Sequence, residues 1–131
     1  MASKDEHLAQ AAHNKRVAGN LAAAGDFDWA VTALFYSALH LIQAHLVEIG
    51  VDVRGHARRE RFMQQISELE PAVDAFMSLR VLSENARYDC RSFTKPEFDD
   101  VEGTIYQGVV DSLAALATVS EPERDDGADA E

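Results

Sequence analysis

Cysteine is almost absent from this sequence, as are the common cofactor motifs. One cysteine among 131 residues cannot form an internal disulfide, which favours a reducing cytosol. CxxC, HExxH and GxxxxGK[ST] patterns are missing, so the common zinc and P-loop signatures are excluded. Residues 1–7 lack the long apolar stretch of a signal peptide. We therefore expect a cytoplasmic protein with no metal, no other cofactor and no membrane partner.

Basic residues are also few. Twelve Lys and Arg against 23 Asp and Glu give a net charge of −11, which excludes uniform attraction to nucleic acid or anionic membranes but not a local basic patch. Residues 120–131 (SEPERDDGADAE) contain six acids and one Arg and no large apolar side chain. This composition predicts a disordered acidic tail after a single domain over 1–119.

Helix signals dominate the rest of the chain, and no alternating strand pattern occurs. Capping boxes begin at Ser3 and Thr94, while Gly25 followed by Asp26 predicts a helix end and a new N-cap. Apolar residues recur at helical spacing between these signals. We predict an all-α, five-helix up-and-down bundle. Its expected helices are one ending before Gly25, a second over 27–49, a third over 57–69, a fourth from Pro71 to between Tyr88 and Arg91, and a fifth from Thr94.

The second predicted helix is apolar on most sides, which is typical of a central, buried helix. Its less apolar stripe carries Trp29, Tyr36, His40 and Gln43 at helical spacing. Charged and histidine side chains interrupt it, which argues against a membrane span. The predicted core comprises Trp29, Phe35, Leu41, Phe76, Leu79, Ile105 and Leu113.

Arginine is concentrated in the middle of the chain. Seven of the 12 basic residues lie between Arg54 and Arg91, all of them Arg, and four of these fall within 54–61. The guanidinium group binds phosphate and carboxylate through paired donors, so the cluster fits a phosphate, a nucleotide or an RNA backbone. The alternative is a solvated helix face whose Arg residues pair with nearby Glu.

Polar side chains of the second and fourth helices suggest a site. His40 lies one turn from Tyr36, either as a buried imidazole with satisfied nitrogens or as a base or anchor in a cleft. An Arg beside a Tyr at a helix end can hold a phosphate and donate to it. We predict one cleft, or else an internal hydrogen-bond network that locks the bundle. Its predicted lining is His40, His56, Arg59, Ser83, Arg87 and Tyr88.

Four short motifs, taken in order, resemble the HEPN superfamily of small prokaryotic helical proteins over residues 10–115. They are Trp29-Ala30-Val31, Phe35-Tyr36-Ser37-Ala38-Leu39-His40, Gly55-His56-x-x-Arg59 and Ser83-x-x-Ala86-Arg87-Tyr88. The resemblance implies a helical bundle that forms a homodimer. Many HEPN proteins are metal-independent ribonucleases in toxin–antitoxin, CRISPR-linked and phage-defence systems. Others are inactive binding modules, often encoded beside a nucleotidyltransferase.

The ribonuclease members of that family carry an Arg, four to six residues, and then a His, which meet their counterparts across the dimer cleft. In this chain Tyr88 stands at the His position and Ser83 at the Arg position, with Arg87 displaced. Tyrosine, with a pKa of about 10, is a poor base at neutral pH. The sequence therefore favours a non-catalytic module that binds nucleotide, RNA or a partner protein. A divergent ribonuclease remains the alternative, with His40 or His56 as base and Arg59 or Arg87 on phosphate, and an antitoxin or regulatory subunit is a third.

Overall fold

The computed structural model describes residues 2–51, 61 and 66–116, and these residues contain no strand. The helices within 2–51 and 66–116 are α1 (Lys4–Ala23), α2 (Phe27–Glu48), α3 (Glu70–Tyr88) and α4 (95–116). A 3₁₀ turn over Ser67–Leu69 precedes α3. The all-α prediction is confirmed. Most of the predicted third helix and the whole predicted acidic tail lie outside the described residues.

Both predicted capping boxes are present. The Ser3 hydroxyl accepts from the Glu6 N–H at 3.1 Å, and the Glu6 carboxylate accepts from the Ser3 N–H at 2.8 Å. Thr94 and Glu97 repeat the arrangement at the start of α4, at 3.3 and 2.8 Å. Each carboxylate accepts a hydrogen bond from a backbone N–H, and this bond is the main cause of the lowered pKa of Glu6 and of Glu97.

The turn between α1 and α2 follows the sequence signals in part. Gly25 has φ +85°, a left-handed conformation that suits glycine. Asp26 occupies the predicted N-cap position, but its side chain makes no capping hydrogen bond. Gly50, at φ +84°, follows the end of α2 in the same way.

α2 is the central helix and packs against α1, α3 and α4. The Phe35 ring stacks on Phe76 of α3 at 5.3 Å between centroids, and both side chains are buried. Among the described residues, α2 is the one helix long and apolar enough to cross a membrane, and 61% of its apolar 18-residue window is buried inside the protein. It has the burial of a core helix.

The predicted core is correct at its centre and wrong at one end of α2. Phe35, Phe76 and Leu79 are buried, whereas Leu41 and Leu113 are half-buried. Trp29 is 57% exposed, contrary to the prediction. It belongs to the stripe of α2 that faces away from the Phe35 side, and the described helices leave that end of the stripe open.

A π turn over Val101–Tyr106 changes the register of α4, which the sequence predicted as regular α-helix. The wider turn adds a residue before the next inward position. The buried positions are therefore Val101, Tyr106 and Val109, and Ile105, predicted to be in the core, is only half-buried.

The π turn brings a phenol into the core. The Tyr106 hydroxyl lies 2.8 Å from the Ser37 hydroxyl, and Ser37 donates to the Ala11 carbonyl at 2.8 Å. Ser37 is fully buried and Tyr106 is 5% exposed. One buried hydrogen-bonded chain therefore links α4, α2 and α1.

Candidate functional site

A cleft of about 210 Å³ lies between α2 and the C-terminal half of α3. It is lined by Phe35, Tyr36, Arg80, Glu84, Arg87 and Tyr88. These six side chains include two guanidinium groups and one carboxylate, so the lining carries a formal charge of +1 in a chain whose net charge is −11. The cleft is thus locally basic within an acidic protein.

Arg87 is anchored to both helices that form the cleft. Its Nη1 donates to the Tyr36 hydroxyl of α2 at 2.7 Å. Its Nε donates to the Ser83 carbonyl and its Nη2 to the Ser83 hydroxyl, each at 3.3 Å. A guanidinium has five N–H donors, so these three bonds leave two, one on each Nη. The group is held in place and keeps donors for a further acceptor.

Three aromatic rings surround the same guanidinium. Its central carbon lies 5.7 Å from the Phe35 ring centroid, 5.5 Å from Tyr36 and 5.2 Å from Tyr88. These are cation–π distances. Tyr88 is 73% exposed, so its ring contacts Arg87 while most of its surface faces solvent.

Ser83 and Arg80 support the cleft from α3. Ser83 is fully buried, donates to the Arg80 carbonyl at 3.0 Å and accepts from Arg87, so it acts through Arg87 and offers no exposed surface to a ligand. Arg80 Nε lies 3.4 Å from Glu84 Oε2, in an i, i+4 pair on α3.

His40 has a partner that the sequence did not predict. Its Nδ1 lies 3.0 Å from Nδ1 of His7 on α1, with ring centroids 5.2 Å apart. One ring donates and the other accepts, so at most one of these two nitrogens carries a proton in the bond. Only the packing of α1 on α2 places His7 beside His40.

The described residues therefore bring together one part of the predicted site. Ser83, Arg87 and Tyr88 lie together at the cleft. Tyr36 of α2 accepts a hydrogen bond from Arg87 there. His40 lies one turn further along α2 and is hydrogen-bonded to His7. His56 and Arg59 lie outside the described residues, as do Arg54 and Arg58. Their predicted approach to this cleft stays a prediction.

The cleft combines hydrogen-bond donors with an open aromatic surface. It offers two spare guanidinium N–H donors, an exposed aromatic ring and one carboxylate. Across the described residues, no group of three or more His, Cys, Asp or Glu side chains is arranged to hold a metal ion. Arg is the side chain that best matches the paired oxygens of a phosphate.

No protein-family model matches the chain, and no curated protein matches it. The resemblance to the HEPN superfamily therefore depends on the four motifs given above.

Proposed function

We propose that this protein is a HEPN-like helical binding module whose α2–α3 cleft holds the phosphate of a nucleotide or of single-stranded RNA. In this proposal the fold is the five-helix HEPN bundle. It acts in the cytoplasm without the usual ribonuclease activity. A toxin–antitoxin or defence system is the proposed context.

Arg87 is the observation that carries the proposal. A half-buried guanidinium that is held by Tyr36 and Ser83, and that keeps two N–H donors, is organised before any ligand arrives. Preorganisation of this kind lowers the entropic cost of binding. Phosphate accepts paired, charge-assisted hydrogen bonds from such a group.

Tyr88 supports a nucleic-acid ligand over an inorganic anion. Its ring is largely exposed beside the Arg87 cation. An exposed aromatic ring next to a phosphate-binding group is the arrangement that lets a base stack while its phosphate is held.

The absence of the usual ribonuclease activity is proposed from the residues at the motif positions. Tyr88 and Ser83 replace the His and Arg of the family motif, and a phenol is a poor base at neutral pH. His40, a candidate base of the alternative ribonuclease, bonds to His7 on α1. The described contacts thus favour the binding module.

Exposed apolar side chains beside the cleft support a homodimer. Trp29 is 57% exposed, and Tyr36 lies seven residues further along the same stripe of α2. Val81 is 51% exposed, with Tyr88 seven residues further along α3. We propose that a second copy covers Trp29 and Val81 and leaves the Tyr88 ring open to the cleft. A partner protein such as a nucleotidyltransferase is the alternative occupant.

The experiment is a binding titration with single-stranded RNA and with nucleoside monophosphates. We expect Arg87→Ala to weaken binding about tenfold or more, since a hydrogen bond to a charged group contributes about 1.5–3 kcal/mol. Arg16→Ala, which removes an exposed Arg of α1, is the matched control and should bind as the natural protein does. Equal affinity for the Arg87 variant and the control would contradict the proposal.

Tyr88→Ala separates binding from folding. Because Tyr88 is 73% exposed, we expect its removal to change stability by no more than about 0.5 kcal/mol. Loss of base stacking should still weaken RNA binding, by about 1–3 kcal/mol. A variant that unfolds more easily but binds RNA normally would instead indicate a structural role.

A further inference from the structure

Glu84 places a carboxylate in the cleft, and the binding of a phosphate does not require one. Glu84 lines the cleft together with two Arg, and its side chain is 42% exposed. One oxygen, Oε2, lies 3.4 Å from Arg80 Nε, a long contact in a solvent-accessible position. A negative charge at this place repels a phosphate. The pair with Arg80 accounts for Glu84 in the free protein, but it does not explain a carboxylate beside the bound phosphate of a nucleotide.

The position of Glu84 relative to Tyr88 supplies an explanation. The two residues are four apart on α3, so their Cβ atoms are about 5–6 Å apart on the same side of the helix. Arg87 contacts the Tyr88 ring, whose surface is otherwise largely open. A base stacked on this open surface would present an edge to the Glu84 carboxylate, while its phosphate reaches Arg87.

Hydrogen-bond chemistry then selects the base. Two carboxylate oxygens are acceptors and need two adjacent donors. The Watson–Crick edge of guanine has them, in its N1–H and its N2 amino group. Adenine and cytosine place one amino group beside a ring nitrogen that is itself an acceptor, and uracil places one N–H between two carbonyl oxygens. Only guanine offers the carboxylate a paired set of donors.

We propose that Glu84 reads the Watson–Crick edge of a guanine stacked on Tyr88, so that the cleft prefers guanosine nucleotides and guanine-containing RNA. This inference rests on the proposed function, because it requires that the cleft accept a nucleotide. Glu84 is the specificity-determining residue, and Arg87 holds the phosphate of any nucleotide.

The test compares GMP, IMP and AMP in calorimetric titrations of the full chain. IMP is GMP without the N2 amino group, so it removes one of the two donors. We expect GMP to bind about tenfold more tightly than AMP, within the range of a bidentate base contact, and IMP to lie between them. A single-stranded RNA containing guanine, and the same RNA with inosine in its place, should show the same order if the natural ligand is RNA.

Glu84→Gln keeps the size of the side chain but replaces one acceptor oxygen with a donor. We expect it to reduce the preference for GMP over AMP to less than about threefold, without weakening AMP binding. Glu70→Gln removes the same charge from the first turn of α3, outside the cleft lining, and should keep the preference. Circular dichroism of both variants verifies that they are folded.

The outcomes distinguish failure of this inference from failure of the proposed function. Equal binding of GMP, IMP and AMP to the natural protein overturns the role of Glu84 and leaves the proposed function intact. A GMP preference that survives in Glu84→Gln also overturns it. Failure of every nucleotide and RNA to bind overturns the proposed function and this inference together.

Discussion

The buried hydroxyl chain between Ser37 and Tyr106 gives the sharpest test of the packing. Ser37 donates to the Ala11 carbonyl and contacts Tyr106, both at 2.8 Å, with neither side chain open to water. Ser37→Ala leaves the buried phenol without its partner, which costs about 1–3 kcal/mol. The higher helix propensity of Ala returns about 0.5 kcal/mol. We expect a net loss of about 0.5–2.5 kcal/mol in the free energy of unfolding.

Tyr106→Phe and the double variant test whether this loss comes from the hydrogen bond between the two hydroxyls. Tyr106→Phe leaves Ser37 bonded to Ala11 and should cost about 1 kcal/mol, the net value of one hydrogen bond. In the double variant the phenol is no longer stranded, so its loss should be smaller than the sum of the single losses by about 1 kcal/mol.

The measurement is urea unfolding followed by circular dichroism. Ser78→Ala is the matched control, because Ser78 is exposed on α3 and donates to the carbonyl four residues earlier. It should change stability by about 0.5 kcal/mol or less. If Ser37→Ala costs no more than Ser78→Ala, or if the Ser37 and Tyr106 losses simply add, the two hydroxyls do not depend on each other and the reasoning is wrong.

Three further predictions test the helix ends, a half-buried imidazole with a buried nitrogen, and the exposed side chains Trp29 and Val81. The pKa of Glu6 and of Glu97 is lowered in the folded state. The two ionised carboxylates therefore stabilise the folded protein at pH values above the usual Glu pKa of about 4.3. This contribution is lost as the pH falls through the lower pKa of the folded state. A Glu6→Gln, Glu97→Gln variant should therefore show a weaker fall of melting temperature between neutral pH and pH 3, and an unchanged pH profile would contradict this. His45 Nε2 is buried without a partner among the described residues, so His45→Leu should raise the free energy of unfolding by about 1 kcal/mol, and a loss would mean that the nitrogen is paired. Because Trp29 and Val81 are more than half exposed, their replacement by Ser should leave unfolding of the monomer within about 0.5 kcal/mol while light scattering reports a smaller assembly; an unchanged mass would place the proposed dimer interface elsewhere.

Local signals predicted the helix ends well. Capping boxes and left-handed glycines act within three or four residues, so Ser3, Gly25 and Thr94 could be read directly from the sequence. The π turn could not, because its residues Val101–Tyr106 continue a helical pattern without interruption. The wider turn places Tyr106 against the Ser37 hydroxyl, 69 residues away, and no local pattern contains that contact.

The two apolar faces of α2 explain the error at Trp29. A helix that is apolar on most sides can bury either face, and periodicity does not say how many neighbours it will have. The described helices cover the Phe35 side and leave Trp29 open. The choice between the faces is made by the number and placement of the other helices.

At the candidate site, the sequence gives the residue types, whereas the direction of each side chain about the helix axis decides what it contacts. Adjacent residues on a helix differ by about 100° in direction, because there are 3.6 residues per turn. Ser83 and Arg87, four apart, both face α2, so Tyr88 must point away from the interface. That rotation makes the adjacent residues Arg87 and Tyr88 an anchored cation beside an open ring. A ligand that fits both must bridge the edge of the α2–α3 interface, since only there are the spare donors of Arg87 and the free surface of Tyr88 within reach of one molecule.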